Sequence, residues 1–203
     1  MADRYRIPSD FHRVEESIKR SRFITSMDHA PDAESARAFI SRIKAEFPDA
    51  THNCWAYASG PPGDTAVVGL SDDGEPSGTA GKPMLNMLLH GEVGEIAVVV
   101  TRYFGGTKLG TGGLVRAYSG MVKLGFETLP TKEMVETTTR SVTIPYQSVT
   151  LFKRMLPDFE AEILTEEFTD TAGFTLEMPE EHLGKFIDRL TELTDGRANI
   201  SEK

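Results

Sequence analysis

Residues 96–103, IAVVVTRY, constrain this chain more than any other stretch, because apolar side chains fall on both faces of a strand-length run. Strict alternation would leave one face to water, whereas a continuous run demands cover on both. A sheet with helices packed over it is the expectation. The run is followed at once by GGTKLGTGGLVR, Gly105 to Arg116, which puts five glycines into twelve residues. Of the 18 glycines, 15 lie between Gly60 and Gly125, so the middle of the chain is built differently from the rest.

Around the apolar run the other elements can be placed by periodicity. FHRVEESIKRSRFITSMDHA reads as two short strands joined by a tight turn near Lys19–Ser21. PDAESARAFISRIKAEFP carries Ala36, Phe39, Ile40, Ile43 and Phe47 at helical spacing, with Asp32 as N-cap and Pro48 as stop. HNCWAYASG is a strand, and AVVGL is a short apolar piece in a loop. A shorter helix is predicted from Pro83 to about His90 with Gly91 closing it, and a third begins near Thr111–Gly113. TLPTKEMVETTTR reads as a connection. Beyond it the pattern resets to strand, helix, strand, strand, helix, strand, the order of a ferredoxin-like βαββαβ domain. The prediction is an α+β chain of two domains, 1–131 and 132–203.

The chain has 203 residues and a formal charge of −9, which argues against a protein that coats nucleic acid indiscriminately. The charge is unevenly placed. Residues 1–130 hold 14 Lys and Arg against 16 Asp and Glu, while 131–203 hold 8 against 15. Within 82–123 five cations face two acids, so the basic character is local and coincides with the glycines. No apolar run approaches the roughly 20 residues of a spanning helix, and no membrane partner is expected. MADRYRIPSDFHRVEES lacks the apolar core of a leader, which makes the cytoplasm the expected location. The single cysteine, Cys54, excludes an internal disulfide and a multi-cysteine zinc site within one chain.

A strand that feeds a helix through glycines leaves several backbone N–H groups pointing one way, and the helix dipole adds about half a positive charge there. Two such places are read. One is GTAGKP, with Gly78, Gly81 and Lys82; the other is GGTKLGTGG, with Gly105, Gly106, Lys108, Gly110, Gly112 and Gly113. Arg102 falls at the rim of the buried strand, and Arg116 and Lys123, seven residues apart, share a helix face within about 20° of each other. Together these residues predict a groove for a short polyanion. The segment matches neither the P-loop nor the dinucleotide fingerprint, since Thr111-Gly112 stand where Lys-Ser/Thr is required and Val115 replaces the third glycine. The alternative is that the glycines serve close packing and the charges are solvated.

Asp72, Asp73 and Glu75 in DDGEPSG could hold a magnesium ion, but a turn around Gly74 and Pro76 explains the same residues without one, and no metal is expected. His52 and Cys54 share a strand face about 7 Å apart, too far for direct relay, so a buried unreactive thiol is expected. Trp55 lies on the opposite face as core, and Tyr57, Tyr103 and Phe104 are core or stacking surfaces beside the basic patch.

Four motifs, KRSRFI at Lys19–Ile24, HNCWAY at His52–Tyr57, DDGEPSGTAGKPML at Asp72–Leu85 and VVVTRYFGGTKLGTGGLVRAY at Val98–Tyr118, together resemble the IMPACT/YigZ family. The resemblance implies an N-terminal α/β sandwich similar to the second domain of small-subunit ribosomal protein five, and a C-terminal ferredoxin-like domain similar to the fifth domain of elongation factor G. Both analogues work on RNA. Eukaryotic relatives regulate translation by binding a ribosome-associated activator of the general-control kinase; that partnership is not carried over to this chain. The expectation is a non-enzymatic binding protein connected with translation, holding RNA or another phosphate-bearing ligand, with no cofactor. A ribosome-associated component is an expected partner, and the acidic C-terminal domain offers a surface for a protein partner. Two rival readings stay open: a metal-assisted phosphate-ester hydrolase, and a protein-interaction module taking peptide carboxylates.

Overall fold

The structure is a computed structural model and describes residues 4–202. The chain divides into two units, one of residues 5–134 and one of residues 135 onward together with Arg4. Each has its own core. No described helix is long and apolar enough to cross a membrane.

In the first unit, β2 (His12–Ile18), β3 (Ser21–His29), β4 (His52–Ala58), β5 (Val68–Ser71) and β6 (Ile96–Tyr103) form an antiparallel sheet of order β2-β3-β6-β4-β5. The apolar run is thus the central strand, paired to β3 on one edge and β4 on the other. Its burial on both faces follows from what covers it. Helix α1 (Ala33–Glu46), capped by the Asp32 carboxylate on Ser35 N, lays Ala36, Phe39, Ile40 and Ile43 over Ala97, Val99 and Tyr57. Helices α2 (Gly81–Leu89) and α3 (Thr111–Thr128) cover the other face, where Val98 and Val100 meet Met84, Leu88, Leu114, Tyr118 and Met121.

Three expectations shift. The apolar piece AVVGL, read as part of a loop, supplies β5, the edge strand paired with β4. The stretch read as a connection contains β7 (Thr131–Met134), which pairs antiparallel with β1 (Tyr5–Pro8), so the division of the chain falls after Met134. Helix α2 starts at Gly81, two residues before Pro83, because a carboxylate from the preceding loop holds its first turn.

In the second unit β8 (Thr137–Ile144), β9 (Glu162–Phe168), β10 (Ala172–Pro179) and β11 (Asn199–Glu202) form a sheet of order β11-β8-β10-β9. Helices α4 (Val149–Met155) and α5 (Leu183–Thr194) connect the strands in the βαββαβ order. Phe152, Phe186 and Leu190 from the helices bury against Val142, Phe174 and Leu176 of the sheet.

Candidate anion-binding site

The side chains that follow Val98 and Val100 on their face of β6 end at Arg102, which is only 5% exposed. Phe23 of β3 and His52 of β4 are its cross-strand neighbours. The guanidinium lies 5.5 Å from the ring of Phe23 and 5.5 Å from the ring of Phe104. Nη1 donates to Glu75 Oε1 at 2.5 Å, and Nη2 donates to Ser21 Oγ at 3.3 Å. The same Glu75 oxygen accepts from Tyr118 Oη at 2.8 Å. Arg102 Nε is buried and has no hydrogen-bond partner among the described residues. Such an atom is a rarity in a folded interior and calls for a ligand or a cost.

Arg102 lines a cavity of about 340 Å³ with Glu75, Pro76, Phe104, Lys108, Leu109, Gly110, Thr111 and Leu114. This hollow sits at the start of α3. Gly110 is the helix cap with φ +75, a conformation that L side chains resist, and it offers no capping group. The N–H groups of Thr111, Gly112 and Gly113 lack intrahelical partners by position, Gly110 has no side chain to cap them, and no side chain among the described residues does so. Gly105 lets the chain pass against the turn that leads into β3: a Cβ there would lie 1.8 Å from the carbonyl oxygen of Arg20. Gly106, at φ +83, and Gly112 border open space.

The first helix start behaves differently, and the expectation of an external anion there is corrected. The Asp72 carboxylate accepts from Gly78 N at 2.8 Å and from Ala80 N and Gly81 N at 2.9 Å. An internal anion therefore already occupies the α2 N-terminus. Burial pushes the Asp72 carboxyl up, but the three backbone donors outweigh it and hold it below the ordinary value. Gly78 and Lys82 instead line a separate open hollow of about 510 Å³ with His90, Val115 and Ser119. Arg116 and Lys123 are exposed on α3 and line neither hollow. The twelve residues of the expected groove are thus split: Arg102, Lys108 and Gly110 meet at one cavity, Gly78 and Lys82 line the separate hollow, Gly81 is taken by Asp72, and Arg116 and Lys123 line neither.

The magnesium reading fails on the same geometry. Asp72 faces α2, Asp73 accepts from Lys44 Nζ at 2.6 Å and Asn53 N at 2.7 Å, and Glu75 faces Arg102. Among the described residues no group of three or more His, Cys, Asp and Glu side chains is arranged to hold a metal ion. Cys54 is buried, with its thiol 2.9 Å from the Asp72 carbonyl oxygen, and burial pushes it up to about 12, which removes it as a nucleophile at neutral pH. His52 has Nδ1 2.8 Å from the Asp73 carbonyl oxygen, to which it donates, and Nε2 3.9 Å from Glu75. Tyr57 is packed against α1 and is no stacking surface; Tyr103 lies under Arg22; Phe104 alone of the three lines the cavity, 46% exposed. Sequence reading missed Ser21 and Tyr118, which hold the Arg102–Glu75 pair in place. A polar residue just after a β-turn and a tyrosine on an apolar helix face carry no signal of their own.

Residues 19–126 match the family model described as the Impact N-terminal domain, and residues 142–197 match Domain of unknown function (DUF1949). A Haemophilus influenzae protein described as an IMPACT family member is 42% identical over 97% of this chain and 95% of its own length. The Escherichia coli IMPACT family member YigZ is 39% identical over 96% and 95%. A solved structure titled as that of an hypothetical protein is 37% identical, with a TM-score of 0.69, and covers 100% of this chain and 98% of its own.

Proposed function

The chain belongs to the IMPACT family, and from that premise we propose that it is a non-enzymatic binding protein of translation that holds phosphates of RNA at the start of α3. The observation that carries this reading is the meeting of a buried arginine with an unpartnered Nε, an uncapped helix N-terminus and Lys108 around one cavity. Helix amides and flanking cations are the ordinary means of holding phosphate oxygens. Lys82, in the first turn of α2, and Arg116, on α3, lie outside the cavity and are assigned to neighbouring phosphates. The exposed ring of Phe104 supplies the sequence-tolerant stacking that single-stranded RNA uses. The acidic second unit is assigned to discouraging non-target polyanions or to meeting a basic protein surface.

Titration of a fluorescently labelled single-stranded RNA across salt concentrations tests this. With about three phosphates neutralised, log Kobs falls against log salt with a slope of about −2, at ~0.7 per phosphate. Lys108→Ala reduces the slope by about 0.7. Gly112→Asp, whose Cβ meets open space, places a carboxylate among the α3 amides and abolishes binding while the helix stays intact. Binding insensitive to salt and to both variants rejects the reading.

A further inference from the structure

We propose that the cavity at the start of α3 takes a single terminal nucleotide carrying a phosphomonoester, with the phosphate on the α3 amides and Lys108 and the base against Phe104. This rests on the reading above and adds that a chain end, not an internal phosphodiester, is recognised. At about 340 Å³ the cavity lies at the small end of ligand pockets, suited to one unit and not to a passing strand. Its walls combine apolar surface from Pro76, Phe104, Leu109 and Leu114 with donors at the helix start. That pairing matches a flat, weakly polar body joined to a compact anion.

The oxygen count points the same way. An internal phosphodiester has one negative charge and two free oxygens, whereas a terminal phosphate carries about −1.5 to −2 and three acceptor oxygens. Three N–H groups at Thr111, Gly112 and Gly113 face the helix start without partners of their own. Glu75 also lines the cavity, but its charge is matched by Arg102 at 2.5 Å, so Lys108 and the helix dipole stand against no free acid there. A peptide C-terminus would use the same amides. β6, the strand that leads into the cavity, has both edges taken by β3 and β4, so it offers no edge to which a peptide could add a strand.

The test is competition, on the full chain at fixed moderate salt, between versions of one RNA oligomer ending in 5′-phosphate, 3′-phosphate or hydroxyl, with a nucleoside monophosphate, its nucleoside and a peptide ending in leucine as further competitors. A phosphorylated end is expected to bind at least about tenfold tighter than the hydroxyl-ended oligomer. Phe104→Ala, an exposed position, should weaken binding of the phosphorylated end, Lys108→Ala should shrink its advantage over the hydroxyl end, and Gly112→Asp should abolish binding. A nucleoside monophosphate that competes as well as the phosphorylated oligomer supports the site and identifies free nucleotide as its source. Equal, salt-dependent affinity for all ends overturns the inference and leaves the RNA reading standing. Absence of any RNA binding overturns both, and displacement of RNA by the peptide alone assigns the cavity to carboxylates and overturns the nucleotide.

Discussion

Arg102 stands where a strand buried on both faces reaches its rim, and one guanidinium there serves two demands. Its Nη1 satisfies a carboxylate that would otherwise be a lone buried charge, since the Glu75 side chain is 3% exposed. Its Nε is buried without a hydrogen-bond partner among the described residues. Removing one partner of a buried pair leaves the other uncompensated, at a cost of about 3–5 kcal/mol, while removing both charges is far milder. Arg102→Met is therefore expected to lower stability by about that amount in urea unfolding followed by Trp55 fluorescence, and Arg102→Met combined with Glu75→Gln to recover a substantial part. A double mutant no more stable than the single one would show that the pair is not the reason for the loss. From sequence, Arg102 was legible as a charge at a strand end, but its partner was not. Glu75 stood among acids that suggested a metal, and nothing in DDGEPSG shows that its three carboxylates point to three different places.

At the scale of the element, α2 and α3 begin in similar glycine-rich turns and end up with opposite electrostatics. The difference is one side chain: Asp72 reaches the amides of α2, and among the described residues nothing equivalent reaches α3. Asp72→Ala should behave as the loss of a helix cap, about 0.5–2 kcal/mol, read as a lower urea midpoint. The pH dependence follows from the sign of the shift. Asp72 and Asp73 are both held below the ordinary carboxylate value, so their contribution is present above the unfolded carboxyl range and is lost as pH falls through their folded values. Urea midpoints measured from pH 7 down to about pH 3 should fall more steeply for the native chain than for Asp72→Ala; parallel curves would refute the assignment. Periodicity made β6, α1, α3 and the whole βαββαβ order legible, because each has a strong apolar pattern of its own. It failed for β1 and β7, four-residue strands whose pairing lies between Tyr5–Pro8 and the polar TKEM stretch, where no local pattern exists. It also failed at α2, whose start is set by a carboxylate nine residues upstream of Gly81.

For the whole molecule, the division of charge seen in the sequence coincides with a division of cores. The Phe23–Tyr118 and α1 clusters belong to residues 5–134, and the Phe152–Phe186 cluster belongs to the second unit. Only two residues, Val135 and Glu136, separate β7 from β8. A unit of roughly 70 residues is near the size at which one core gives only a few kcal/mol, so it has little reserve. Phe152 is fully buried and packs 4.8 Å from Phe174, ring centre to ring centre. Its truncation to alanine should cost about 3–5 kcal/mol, comparable with all the stability such a unit has. The chain carries one tryptophan, Trp55, and it lies in the first unit, beside Tyr57. Phe152→Ala is therefore expected to remove part of the far-ultraviolet circular dichroism while the Trp55 emission and its urea midpoint stay unchanged. Salt-dependent RNA binding should survive too, since Lys108 and the α3 amides belong to the intact unit. If Trp55 instead unfolds together with the damaged core, the two units form one cooperative structure, and the assignment of phosphate binding to the first unit alone loses its physical basis.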